Sequence, residues 1–232
     1  MARKPARAKA STPAMPTGSD RERIIAALMA LLAETSFEKI GLAEVAARAG
    51  VSLGALRGEF ASTLAILGAY TKTIDRQVLD GGEGDMSEEP ARERLFDVLM
   101  RRIEALAPHK DALRSLLRSV ACNPGLAVAL NAMAVRSQQW MLAAADIRSA
   151  GPRGMLRAQA LALLFARVLR VFVNDDDEGH ARTMAALDRE LGRGARWEGF
   201  LDDLCRFVPR WRAGRRRRYR DEDGDDEAAV PA

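Results

Sequence analysis

The stretch from residue 21 to residue 67 constrains the fold more than any other part of this 232-residue chain. Gly50 lies near its middle, and because glycine readily adopts a positive φ, the chain can reverse direction there. Ser52 can accept a backbone N–H and so begin another helix. Apolar residues recur at helical spacing before the turn, first as Ile24, Leu28, Leu31 and Leu32, and then as Leu42, Val45, Ala46 and Ala49. The pattern predicts a three-helix head that contains a helix-turn-helix.

The helix that begins after Ser52 is expected to have two distinct faces. Its inner face would be anchored on the preceding helices by Val51, Leu56 and Phe60. Its outward positions would be Leu53, Ala55, Arg57 and Glu59. In a helix-turn-helix protein the outward face of this second helix lies in the DNA major groove. The pattern therefore favours DNA binding.

This segment resembles the N-terminal domain of the TetR family of one-component transcriptional regulators. The matching residues are Ile24–Leu28, Val45, Ala46, the turn from Ala49 to Ser52, and Gly54, Leu56, Phe60 and Ser62. The resemblance implies an all-α fold in which the three-helix head is joined to a larger helical body for ligand binding and dimerisation. It also implies a homodimer that binds double-stranded DNA and acts as a repressor that responds to a small hydrophobic effector.

The chain departs from the family at the positions that usually hold the DNA backbone. A Thr or Ser commonly opens the second helix, a Tyr lies late in the recognition helix, and a Lys starts the fourth helix, whereas this chain has Gly41, Arg57 and Thr63 there. Arg57 has forked donors that suit a phosphate or a guanine. Thr63 can donate from its hydroxyl and from a helix N-terminal N–H. The predicted DNA-binding residues are thus Gly41, Ser52, Leu53, Gly54, Ala55, Arg57 and Thr63.

A second interpretation is a relative of this fold that does not bind DNA. The stretch from Trp140 to Leu191 loosely resembles the lipid-binding accessory proteins of ubiquinone biosynthesis, which share the TetR-like fold and present an isoprenoid lipid to a partner enzyme. The likeness lies in the order of Trp, Gly, Arg, an apolar helix, an Asp-rich loop and Leu-Asp-Arg. Five bases balance five acids in residues 21–67, which supports this alternative. The turn at residues 49–52 and Gly54 oppose it.

Composition indicates the domain boundaries. Aromatic residues make up only 5% of the chain and runs of β-branched residues are absent, which favours helices over strands. We expect a disordered basic arm at residues 1–19 and a disordered charged tail at 211–232. Between them lie the predicted DNA-binding domain, residues 20–67, and the predicted ligand-binding and dimerisation domain, residues 68–210.

Apolar spacing in the body predicts helices over residues 90–106, 110–121, 124–147, 152–173, 180–191 and 196–208. The helix at 152–173 is apolar over a wide arc, so we expect it to dimerise together with the helix at 196–208. Methionine and aromatic side chains suit an adaptable effector pocket. The candidate lining residues are Met100, Met133, Trp140, Met141, Met155 and Phe165.

The sequence offers no catalytic, cofactor or metal motif. Asp175, Asp176 and Asp177 with His180 lack the spacing of a calcium loop, so an exposed loop at a helix end is expected. We therefore predict a protein that is not an enzyme and takes no cofactor or metal. Two distant cysteines without a CxxC partner suit buried thiols in the cytoplasm, and no apolar run approaches the ~18–20 residues of a membrane span.

Overall fold

Helices account for almost all regular structure in this computed structural model, which describes residues 18–82 and 88–206, with only the backbone described for residues 194–206. The described residues form nine α-helices and two short 3-10 turns at Phe37–Lys39 and Ala107–His109. The helices are α1 Asp20–Glu34, α2 Leu42–Ala49, α3 Leu53–Glu59, α4 Thr63–Asp80, α5 Ala91–Leu106, α6 Lys110–Cys122, α7 Pro124–Ala144, α8 Gly151–Phe172 and α9 Ala181–Arg206. The predicted all-α fold class is confirmed.

Short polar side chains determine where several helices begin. The Ser52 and Ser62 hydroxyls accept the backbone N–H of the third residue beyond them, at 3.0 and 3.1 Å. Asn123 caps α7 in the same way through its carbonyl oxygen, at 3.0 Å. Ser19 forms a reciprocal capping box with Glu22. The sequence predicts that Ser19 is the last residue of the arm, whereas in the structure it caps α1.

The head consists of α1, α2 and α3 around a common core. Gly50 ends α2 with φ +67°, a conformation that favours glycine, and the chain turns there toward α3 as its sequence predicts. Buried side chains from all three helices meet, namely Ile24, Leu28, Leu31, Leu32, Val45, Ala46, Ala49 and Leu56. Leu42 differs from the expectation, because it opens α2 beside Gly41 and remains more than one-third exposed.

Head and body share a continuous core rather than being joined by a linker. Helix α4 passes through the predicted boundary between residues 67 and 68 without interruption. Buried residues extend along it from Ile66 to Val78 and join those of α5, α7 and α8 in one cluster. The described residues up to Leu191 form one compact unit.

Helices α7 and α8 pack against each other in antiparallel orientation. Asn131 and Gln159 exchange two hydrogen bonds of 3.0 Å, and the Gln139 amide lies 3.7 Å from the Met155 sulfur, so residue numbers fall along α8 as they rise along α7. The loop between them crosses the first turn of α8 so closely that a Cβ on Gly154 would lie 2.1 Å from the backbone of Ser149. Only glycine fits at that crossing.

The C-terminal part differs from the sequence-based prediction. Helix α9 is continuous, whereas two helices at 180–191 and 196–208 were expected. Gly192 and Gly194 lie within it, which is tolerable because a glycine inside a helix costs only about 0.5–1 kcal/mol relative to alanine. The side chains of the expected second helix, most of the predicted arm (1–17) and the tail lie outside the described residues.

Two smaller expectations also need correction. Cys122 ends α6 and is exposed rather than buried. In the acidic loop after α8, Asp176 and Asp177 are exposed as expected, but Asp175 is fully buried. Its carboxylate accepts hydrogen bonds from the Thr183 N–H (2.9 Å) and hydroxyl (2.6 Å), so it fixes the start of α9.

Across the part of the chain that the structure describes, no helix is both long and apolar enough to cross a membrane.

Candidate nucleic-acid interface

Helix α3 has one buried and one exposed face. Leu56 is 1% exposed, and Phe60, the residue that follows α3, is 4% exposed. On the other face, Leu53 keeps 55% of its surface exposed, and Gly54 and Arg57 are exposed as well. An exposed leucine beside an exposed arginine on a short, firmly anchored helix gives a surface that can enter a groove of DNA.

The remaining predicted DNA-contact residues lie at helix starts. Gly41 caps α2 through its backbone only, because it has no side chain that could accept an N–H. Thr63 is the first residue of α4 and is half-buried. Ser52, exposed, caps α3, and Ala55 is half-buried on its first turn. Gly41, Ser52 and Thr63 thus open α2, α3 and α4, where backbone N–H groups suit a phosphate.

Three of the five basic side chains in the head are held by acidic neighbours. Arg23 pairs with Asp20 at 2.6 Å. Arg21 lies 3.4 Å from Glu59 and over the Phe60 ring, with 4.7 Å from its guanidinium carbon to the ring centre. These pairs reduce the positive charge that the head can offer to phosphates.

The third pair joins α1 and α2. Arg48 binds both carboxylate oxygens of Glu34, at 2.8 and 2.6 Å. This hydrogen bonding holds the pKa of Glu34 below its usual range. Within residues 20–67, Lys39 and Arg57 are the bases without such a pairing. Lys39 was absent from the predicted site, although its place in the turn just before α2 was a signal that could have found it.

The interior of the body contains a buried ion pair. Arg102 of α5 donates to the carboxylate of Asp75 of α4, and both residues are less than one-tenth exposed. The Ser137 hydroxyl of α7 donates to the same carboxylate oxygen at 2.7 Å. The Arg102 guanidinium also lies over the ring of Phe165, 5.5 Å from its centre. Four helices therefore meet at this cluster.

Tyr70 and His109 extend the polar cluster. Their ring centres are 5.2 Å apart. Burial raises the pKa of Tyr70, an effect that the nearby positive charge of Arg102 opposes only partly. Burial lowers the pKa of His109. The Tyr70 hydroxyl, Arg102 Nε and His109 Nδ1 are three of the eight buried side-chain polar atoms that have no hydrogen-bond partner among the described residues.

The candidate pocket residues fall into two groups. Met141 and Phe165 are buried, and Met100 and Met133 are partly buried against the same core. Trp140 and Met155 are 59% and 58% exposed, so the structure does not bring them to that interior. The polar members of the cluster, Tyr70, Asp75, Arg102 and Ser137, were missed on sequence grounds. The available signal was a charged residue on the otherwise apolar face of α4 and of α5.

Helix α6 connects the head with the end of α8. The Ser115 hydroxyl donates to the Thr35 carbonyl (2.8 Å), and the Phe37 N–H donates to the Ser119 hydroxyl (3.1 Å). On α6, Arg114 Nε donates to the Val173 carbonyl just after α8, at 3.0 Å. Helix α6 therefore makes hydrogen bonds both to the head and to the residue that follows α8.

Comparison with known proteins identifies the fold. The structure matches a TetR transcriptional regulator from Nitrosomonas europaea with a TM-score of 0.59 and 23% identity, over 77% of this chain and 99% of that one. A TetR-family transcriptional regulator from a Rhodococcus species matches with a TM-score of 0.51 and 21% identity, over 74% of this chain and 98% of that one. No protein-family model and no curated protein matches by sequence. The chain has the fold of TetR-family regulators, and the predicted resemblance is confirmed at that level.

Proposed function

We propose that the protein is a DNA-binding transcriptional regulator that acts in the cytoplasm as a homodimer and has no catalytic activity. The observation that carries the proposal is the outer face of α3, where Leu53, Gly54 and Arg57 are exposed beside a buried anchor formed by Leu56. The fold shared with TetR-family regulators supports it. The outward side chains would contact base edges, and the amides at the starts of α2 and α4 would contact phosphates.

Two heads must reach successive major grooves about 34 Å apart, so the proposal requires a dimer. Helix α8 supplies a suitable surface, because Leu156 and Leu163 are each at least half-exposed on its outer side. Leu164, by contrast, is buried in the core. A substitution at Leu163 therefore tests the interface, whereas one at Leu164 would disturb folding.

We further propose that the protein is a repressor whose body responds to a small hydrophobic effector. Met133, Met141 and Phe165 give the interior beside Arg102 an apolar and adaptable lining. Helix α6 offers a route from the body to the head through the hydrogen bonds of Ser115 and Ser119. An effector that favours one position of α6 would change the spacing of the two heads, and with it the affinity for the operator.

The decisive experiment measures duplex binding by the full-length protein and by Arg57→Ala. Fluorescence anisotropy with DNA flanking its own gene, compared with a random duplex, would give both affinities. If Arg57 contacts a base, its loss should cost about 1–3 kcal/mol on the specific duplex only. Arg76→Ala is a matched control, since Arg76 is exposed on α4 about 20 Å along the helix from Thr63.

Two results would count against DNA binding through the outer face of α3. One is the absence of any duplex complex at low salt when sedimentation shows an intact dimer. The other is an equal loss for Arg57→Ala and Arg76→Ala, because this would reflect net charge rather than the outer face of α3.

The second candidate function is that of a lipid-binding accessory protein of the ubiquinone-biosynthesis type, without DNA binding. The pairing of Arg21, Arg23 and Arg48 with acids favours it, since it leaves a head with little free positive charge. Mass spectrometry of a solvent extract from the purified full-length protein tests it. Bound isoprenoid lipid together with no complex on any duplex would select this function over the first.

A further inference from the structure

We propose that the body recognises an uncharged carbonyl oxygen on an otherwise apolar molecule, with the Tyr70 hydroxyl and Arg102 Nε as donors. The inference rests on one part of the proposed function, namely that the body is the domain that binds the effector. It assigns a chemical class to the effector and two residues to its recognition.

The first support is the set of unused donors in the interior. Tyr70 and Arg102 are 5% and 6% exposed, yet the Tyr70 hydroxyl and Arg102 Nε have no partner among the described residues. Buried polar atoms in native proteins are almost always hydrogen-bonded. Both groups are donors, and a carbonyl oxygen has two lone pairs that can accept from both at once.

The second support is the charge of the cluster. The carboxylate of Asp75 already balances the guanidinium of Arg102. Burial raises the pKa of Tyr70, so its phenol stays protonated, and burial lowers the pKa of His109, which favours its neutral form. A carboxylate placed here would be a buried charge without a counter-ion, which is costly. The cluster therefore favours an uncharged acceptor over an anion.

The third support is the apolar surface on both sides of these donors. Phe165 lies over the Arg102 guanidinium, and Met141 is fully buried nearby on α7, one turn after Ser137. Gly68 lets α7 approach α4, so that the Met133 sulfur lies 3.4 Å from where a Cβ on Gly68 would be. Methionine side chains rearrange easily, which would allow an aliphatic chain to enter along the α4–α7 contact.

The test compares three probes of similar length on the full-length protein by calorimetry without DNA. The first is methyl hexyl ketone, and the second is octanoate. The third is the hydrocarbon that results when a methylene group replaces the carbonyl oxygen of this ketone. With two hydrogen bonds gained, the ketone should bind about tenfold more tightly than the hydrocarbon. Octanoate should bind no better than the hydrocarbon.

Tyr70→Phe separates recognition from a structural role. Because the hydroxyl has no hydrogen-bond partner in the described part of the chain, its removal should leave the thermal unfolding midpoint unchanged or higher. The preference for the ketone should fall about threefold. Thr73→Val is the matched control, since it removes a hydroxyl from the exposed side of the same helix. It should leave the preference unchanged.

Three outcomes would overturn the inference. The first is a ketone that does not bind or binds no better than the hydrocarbon. The second is tighter binding of octanoate. The third is a Tyr70→Phe variant that unfolds at lower temperature with its ketone preference intact. A failure to bind DNA leaves these measurements unaffected, so the two proposals fail separately.

Discussion

Replacing Glu59 with glutamine should strengthen DNA binding. Glu59 is the last residue of α3, and its carboxylate lies 3.4 Å from Arg21 at the start of α1. Both side chains are more than 40% exposed, so the pair contributes little to stability. The substitution removes a negative charge from the side of the head that is proposed to face DNA, and it leaves Arg21 available for a phosphate.

The magnitude follows from counterion release. Each additional phosphate that the protein neutralises makes the slope of log K against log salt concentration more negative by about 0.9. A dimer gains one such contact in each of its two heads, so its slope should change by about 1.8. Between about 50 mM and about 200 mM salt, the variant should therefore lose about twelvefold more affinity than the unmodified protein. At the lower salt concentration it should bind more tightly.

Anisotropy titrations at a series of salt concentrations give the slope directly. Glu104→Gln is the matched control, because it removes the same charge from an exposed position on α5. An unchanged slope for Glu59→Gln, or an equal change for Glu104→Gln, would refute the placement of α3 and the start of α1 against DNA.

Three further predictions concern stability and assembly. Gly154→Ala should lower the free energy of unfolding in urea by about 1–3 kcal/mol, because its Cβ would overlap the preceding loop. Gly58 has open space around it, so Gly58→Ala should raise the free energy of unfolding by about 0.5–1 kcal/mol. If both substitutions changed this free energy by a similar amount, the close approach of the loop to Gly154 would be contradicted. Burial lowers the pKa of His109, so the unfolded chain binds a proton at this residue more readily than the folded protein does. The urea midpoint should therefore fall as the pH drops below about 6.5, and this fall should be smaller in His109→Gln. Leu163→Glu should give folded monomers in sedimentation, and a persistent dimer would exclude α8 from the interface.

The head could be predicted from the sequence because its signals are local. Gly50 ends one helix and Ser52 begins the next within three residues, and both roles depend on the conformation of adjacent residues. The buried positions Leu56 and Phe60 follow from helical spacing once that start is known. No information about distant parts of the chain is needed.

The polar cluster in the body could not be predicted in this way. Asp75 and Arg102 are 27 residues apart on different helices, and their pairing depends on how α4 and α5 rotate about their axes. The exposure of Trp140 has the same origin, since its hydrophobicity favours burial while the orientation of α7 places it outside. A charged residue on an apolar helix face marks Asp75 and Arg102 as unusual, but tertiary packing decides which residues pair and which face of α7 is exposed.

The hydrogen bonds from α6 limit how this head could be exchanged in a chimeric regulator. Ser115 and Ser119 bind backbone atoms, the carbonyl of Thr35 and the N–H of Phe37. These two hydrogen bonds therefore depend on the path of the backbone and not on the side chains of Thr35 and Phe37, although the Phe37 ring also packs against the core. A foreign head should function on this body only if its connection between the first two helices has the same length and course.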